Sequence, residues 1–185
     1  NLKLNYQFNE TDLDMKGEFL HFSISKKFNK LYLVSSDCIY EFSDNNFNKL
    51  FDYRNFNNAE FTCFFHDDQN RKWIGTLDNG LYKIDVDCTY IYDKSNNFYS
   101  NNISSIIEDD FSNIWIGTPK GVIKIISNEY IFYDIYDGLA GETQNQKTLA
   151  KIRDELFFGG PDGISVFNTK DNIKNIIKPT TIITE

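Results

Sequence analysis

The chain repeats itself with a period of 41 to 42 residues. Arg71-Lys72-Trp73-Ile74-Gly75-Thr76 lies over Asn113-Ile114-Trp115-Ile116-Gly117-Thr118 at an offset of 42, and Asp67-Asp68 lies over Asp109-Asp110 at the same offset. Leu156-Phe157-Phe158-Gly159-Gly160 follows Ile114 to Thr118, and Gly163-Ile164 follows Gly121-Val122, both at 42. Upstream, Leu31-Tyr32-Leu33 precedes Lys72-Trp73-Ile74 by 41, and Ile39-Tyr40 precedes Leu81-Tyr82 by 42. A unit that occurs four times at one spacing dictates architecture before any single segment is read.

Each unit reads as four short strands. In the second they are Phe61 to His66, Lys72 to Thr76, Gly80 to Ile84 and Thr89 to Tyr92. In the third they are Ile103 to Glu108, Ile114 to Thr118, Val122 to Ile126 and Tyr130 to Tyr133. The intervening turns carry Asp, Asn, Gly and Pro, the residues that tight turns require. No segment sustains a helical period of 3.6. Aromatics make up 16% of the chain, with 17 Phe and 11 Tyr, which suits pleated, half-buried surfaces. The predicted fold is all-β: four four-stranded antiparallel β-propeller blades. The blades are placed at about 19–53, 61–92, 103–133 and 147–177, within a propeller region spanning 1–177. Trp73, Trp115 and Phe157 hold one repeat position, with Gly75, Gly117 and Gly159 two residues on, and the rings are expected to pack between blades.

The edges of the register point to a larger ring. Leu4 to Phe8 precedes Phe19 as Phe51 to Tyr53 precedes Phe61, so residues 1–8 read as an outer strand of a preceding blade. Asp171 to Ile177 is a weak fourth strand, and residues 178–185 read as an exit linker. The chain opens on Asn rather than Met. A piece of a larger propeller is expected, because open blades expose apolar faces and strand edges.

Composition removes several functions. A net charge of −8 argues against a nucleic-acid surface, which needs clustered Lys and Arg. No apolar run reaches the 18 residues of a membrane helix, and Asn1 to Glu10 has no apolar leader core. Cys38, Cys63 and Cys88 are spaced 25 and 25 with no CxxC, a pattern that suits neither zinc nor paired disulfides, and all three read as small half-buried residues.

Asn101-Asn102-Ile103-Ser104-Ser105-Ile106-Ile107-Glu108-Asp109-Asp110, followed by Asn113 to Thr118 and Gly121-Val122, resembles the two-component regulator propeller repeat. The second unit matches at Asp67-Asp68 and Trp73 to Gly75. The first departs from the pattern, with Leu33-Val34-Ser35 in place of the I-G-T core. Asp137-Gly138-Leu139, Asn145 and Glu155 to Phe167 resemble the family's final repeat, and Lys178 to Thr184 resembles the entry to an immunoglobulin-like domain. The resemblance implies the C-terminal blades of a seven-bladed propeller in the periplasmic sensor region of a hybrid two-component histidine kinase. It further implies an oligosaccharide ligand, control of polysaccharide use, and the remaining blades and immunoglobulin-like domain as intramolecular partners.

The residues themselves show no catalytic set, no metal site and no need for a cofactor. Asp67-Asp68 and Asp109-Asp110 recur at one repeat position, as turns do. His21 and His66 have no nucleophile motif beside them. Gly159 to Gly163 lacks the Lys-Ser/Thr of a phosphate loop. Sugar binding needs exposed aromatics beside hydrogen-bonding side chains. The candidates are Arg54 and Phe56, Phe98 and Tyr99, and Tyr136 with Glu142. The alternatives are a protein-interaction scaffold with no small ligand, and a propeller lyase or glycosidase. The fragment is also expected to self-associate through its open ends.

Overall fold

The computed structural model describes residue 13 and residues 16–127, 129–141, 149–160 and 162–170. The first blade consists of β1 (Phe19–Ser25), β2 (Lys30–Ser35), β3 (Cys38–Ser43) and β4 (Asn46–Asp52), the second of β5 (Phe61–His66), β6 (Lys72–Thr76), β7 (Leu81–Ile84) and β8 (Thr89–Tyr92). The third holds β9 (Ser105–Glu108), β10 (Ile114–Thr118), β11 (Gly121–Ile126) and β12 (Glu129–Tyr133). The fourth shows β13 (Leu149–Ile152), β14 (Glu155–Gly160) and β15 (Gly163–Asn168). Every blade is an antiparallel meander with its strands in chain order. The first strands β1, β5, β9 and β13 neighbour one another in succession, so they line the inside of a β-propeller arrangement of four blades. Leu4 to Phe8, Asp171 to Ile177, Asn145 and the 178–185 linker lie outside the described residues.

The period-2 alternation of strand side chains decides which blade each residue serves. In the second blade, Phe64, Ile74 and Tyr82 turn toward the first and pack on Tyr32, Val34 and Ile39. Their neighbours Cys63, Trp73 and Leu81 turn the other way, onto Ile114, Ile116 and Ile123 of the third. Trp115 and Val122 then face Leu156 and Phe158 of the fourth. The core is therefore three slabs between blades, because a lone meander has two apolar faces and must cover both.

The connectors between blades follow one plan. Asp93 and Asp134 each cap a single 3-10 turn, Lys94–Asn96 and Ile135–Asp137, and the next residue is left-handed: Asn97 at φ 67° and Gly138 at φ 98°. Asp52 caps Tyr53–Phe56 in the same way. Each connector drops one apolar side chain into the slab below it: Phe56, Phe98 and Leu139.

Three expectations are corrected. Phe157, placed between blades by the repeat, is half-buried, because its face of the fourth blade has no further blade against it among the described residues. Ile103 does not open β9. Its N–H donates to the Thr76 carbonyl at 2.9 Å and its side chain fills the slab between the second and third blades, so the strand starts at Ser105. Cys38 and Cys63 are buried, but Cys88 is exposed in the turn between β7 and β8.

Candidate ligand-binding groove

The residues that the repeat makes into turns meet beside the second and third blades. The β6–β7 turn supplies Leu77 and Asp78. The connector ahead of β9 supplies Lys94, Tyr99 and Asn101, and the β10–β11 turn supplies Pro119 and Lys120. Together they line a shallow cleft of about 450 Å³, adjoined by a smaller one of about 270 Å³ that shares Asp78 and Asn101. The larger lies within the ordinary size range of small-molecule sites, roughly 300–1,000 Å³.

Backbone hydrogen bonds hold the walls. Gly80 N–H donates to the Asn101 carbonyl at 2.8 Å, and Lys94 N–H to Asn101 Oδ1 at 2.8 Å. Thr76 Oγ1 donates to the Gly80 carbonyl at 2.7 Å and fastens the β6–β7 turn. The Ser100 hydroxyl donates to the Asn102 carbonyl at 2.8 Å. Tyr99 stacks on Phe132 with ring centroids 4.6 Å apart and planes at 14°, and meets the edge of Tyr130. It still exposes 51% of its surface. The groove thus offers a braced aromatic ring, two ammonium groups, a carboxylate and side-chain amides, a set suited to a polar, hydroxyl-rich ligand.

Two carboxylates, Asp78 and Asp93, line the smaller cleft. Asp93 is committed to its turn: Oδ1 accepts from Ser95 N at 2.8 Å, the Ser95 hydroxyl at 2.5 Å and Asn96 N at 3.2 Å. The Ser95 hydroxyl, against a smaller opposing effect of desolvation, holds its pKa below the usual carboxylate value. A general acid needs the opposite shift, so Asp93 serves its turn as the carboxylate. Glu108 is pushed upward, chiefly by burial, but it lines neither cleft and accepts from Asp68 N–H at 2.8 Å. Among the described residues no three His, Cys, Asp or Glu side chains gather as metal ligands.

Of the five sequence candidates among the described residues, only Tyr99 lines the groove. Phe56 and Phe98 are buried slab residues, so neither offers a ring to ligand. Arg54 is held in a fork by Asp52, Nε to Oδ1 at 2.8 Å and Nη2 to Oδ2 at 2.6 Å. Tyr136 is exposed on its connector and lines neither cleft. Glu142 lies outside the described residues. Asp78, Lys94, Asn101 and Lys120 were legible only as turn residues, and nothing in a single sequence says which turns converge.

Residues 100–120 match the family model described as two component regulator propeller. The chain is 31% identical over 88 residues to Histidine kinase P4 of Formosa agariphila, a stretch covering 46% of this chain and 6% of that protein. Among solved structures it is similar to the extracellular domain of a protein described as a hybrid two-component system from B. thetaiotaomicron, with TM-score 0.74 and 15% identity over 90% of this chain and 24% of that one. A streptogramin B lyase shares the fold at TM-score 0.54 and 12% identity, over 84% of this chain and 56% of that enzyme. The chain thus spans a small part of the curated relative and about a quarter of the extracellular domain. No helix among the described residues is long and apolar enough to cross a membrane. The family match falls on the blade whose Asp109, Trp115, Gly117 and Thr118 build the repeat, so residues 100–120 are similar to a two-component regulator propeller repeat, and the other blades share its antiparallel strand order.

Proposed function

We propose that this chain is the non-catalytic, ligand-sensing propeller part of a hybrid two-component sensor. It stands in the periplasm, with further blades and an immunoglobulin-like domain of the parent around it. The 88-residue match to a histidine kinase carries the reading, because it ties these blades to a signalling protein rather than to a propeller at large. The lyase likeness carries fold alone at 12% identity. The groove beneath Tyr99 takes an oligosaccharide: Tyr99 stacks on a sugar face, while Asp78, Asn101 and Lys120 bond its hydroxyls. In the parent, occupancy of this groove controls genes for polysaccharide use.

Calorimetric titration of the chain with a panel of oligosaccharides tests the proposal. One class is expected to bind, and Tyr99→Ala to weaken that binding at least tenfold, on the order of 1.4 kcal/mol or more. Binding that ignores Tyr99→Ala would place the site elsewhere. Release of shortened or unsaturated sugar from the mixture would make the chain an enzyme.

A further inference from the structure

The blades of this chain agree at positions that build them and differ at positions that line the groove. The connector caps are Asp52, Asp93 and Asp134, and the residues dropped into the slabs are Phe56, Phe98 and Leu139. The residue after each cap is Tyr53, Lys94 and Ile135 in turn, so only the second connector puts a cation there. The residue after each slab residue is Asn57, Tyr99 and Ala140, so only the second connector puts an aromatic ring there. Two residues beyond the ends of β2, β6, β10 and β14 stand Asp37, Asp78, Lys120 and Asp162, spaced by 41, 42 and 42. Three blades carry an acid at that turn and the third carries a lysine.

Lys94, Tyr99 and Lys120 all line the larger cleft. A repeat holds its residue type where neighbouring units pack, and these three departures are not needed for packing. They nevertheless meet in one place. Neither lysine is held by the fold. Among the described residues Lys30 pairs with Glu41, Lys151 with Asp110 and Lys170 with Asp154, whereas Lys94 and Lys120 make no ion pair. Only their backbone N–H groups are bonded, to Asn101 Oδ1 and Thr118 Oγ1, and both side chains are exposed. Asp78 is the one carboxylate on the same lining, so the cleft sets two positive groups against one negative in a chain of net charge −8.

We propose that the groove selects an oligosaccharide that carries negative charge, with Tyr99 against a sugar ring and Lys94 and Lys120 on its carboxylate or sulfate groups. The inference rests on the reading of the groove as a sugar site and adds what that sugar must carry. A neutral sugar offers an ammonium only hydroxyls, whereas a uronate or a sulfate ester offers a charge-assisted bond, roughly twice as strong. Lysine suits either group, because its ammonium is a point charge with three donors on a flexible stem. Asp78 accepts from hydroxyls at the β6–β7 side and repels an anion there, which orients the ligand.

Calorimetric titration of the 185-residue chain tests this with three probes of matched length: uronate oligomers, sulfated galactan oligomers and neutral galactan oligomers. At least one charged probe is expected to bind about tenfold or more tighter than the neutral one. Raising salt from about 0.05 M to about 0.5 M should remove most of that margin, because exposed charges are screened. The tighter charged probe identifies carboxylate or sulfate as the group that is read. Lys120→Asp restores the residue of the other three blades, so the turn is expected to fold as theirs do. It should weaken the charged probe about tenfold or more, and more than it weakens the neutral one. Lys94→Gln keeps its backbone N–H and should act in the same direction. A neutral probe bound as tightly as both charged ones overturns this inference and leaves the sugar site standing. So does a charged probe indifferent to both substitutions. Failure of all three probes overturns it too, and the wider oligosaccharide panel then decides the sugar site: binding that depends on Tyr99 keeps the site, and no binding removes it.

Discussion

Each residue of the Trp-Ile-Gly-Thr strand has a separate task. The Trp73 and Trp115 indoles fill slabs between blades and donate to Asp67 Oδ2 at 2.7 Å and Asp109 Oδ2 at 2.8 Å. Those aspartates also accept turn N–H groups, Gln69 and Arg71 in one blade and Phe111 and Asn113 in the next. The isoleucines serve the opposite slab. A Cβ on Gly75 would strike Cys63 Sγ and stand 2.7 Å from Ile103 Cγ2, and one on Gly117 would strike Ser105 Oγ, so close approach rather than backbone angle demands glycine there. The Thr76 and Thr118 hydroxyls latch the following turn. Trp115→Ala should destabilise by about 3–5 kcal/mol, because it empties the slab and removes the indole hydrogen bond to Asp109. Denaturant unfolding checks this, and a loss under about 1 kcal/mol would contradict the burial seen here. His66 offers a pH test. It is buried under Phe28, with Nδ1 2.8 Å from the Tyr32 hydroxyl and Nε2 2.8 Å from Asn70 Oδ1. Burial, partly offset by Asn70, lowers its pKa below the ordinary 6.5. The unfolded chain then takes the proton first, so the stability this site gives is full above pH 6.5 and is lost as pH falls through the folded value. The margin of wild type over His66→Gln in thermal melts should shrink along that descent; a margin that widens would reverse the assignment.

At the scale of elements, blades differ in how many of their faces are covered. The second and third have slabs on both sides, the fourth on one. Opening a blade buried on both sides exposes two apolar surfaces, and opening an end blade exposes one, so local stability should fall toward the ends. Amide hydrogen exchange read by strand should show β6 and β10 protected longest and β14 released earlier. Equal protection of all three at a concentration where the chain is monomeric would mean that the unit opens only as a whole. The connectors contribute to the middle slabs as well, since Phe98 lies among Trp73, Ile103 and Ile114.

At the scale of the molecule, stacking fixes the groove. The groove exists because the β6–β7 turn, the connector and the β10–β11 turn come from two blades and are brought together by the slab between them.

The sequence by itself determined the blades. The 41–42 spacing, the Asp-Asn-Gly turns and the alternation of apolar residues placed most strands within two residues, because those are local properties of a pleated, turn-bounded chain. It also carried the family resemblance, since Trp115, Gly117 and their neighbours are set by contacts that the second and third blades repeat. Tertiary structure decided what the pattern leaves equivalent. Phe98 and Tyr99 are adjacent aromatics in an Asn-rich loop, yet the left-handed Asn97 sends one into the slab and leaves the other exposed over Phe132. Trp115 and Phe157 occupy one repeat position, yet among the described residues only Trp115 has a blade in front of it. Periodicity records what a residue repeats; burial depends on which neighbour is present, and that is a property of the assembled stack.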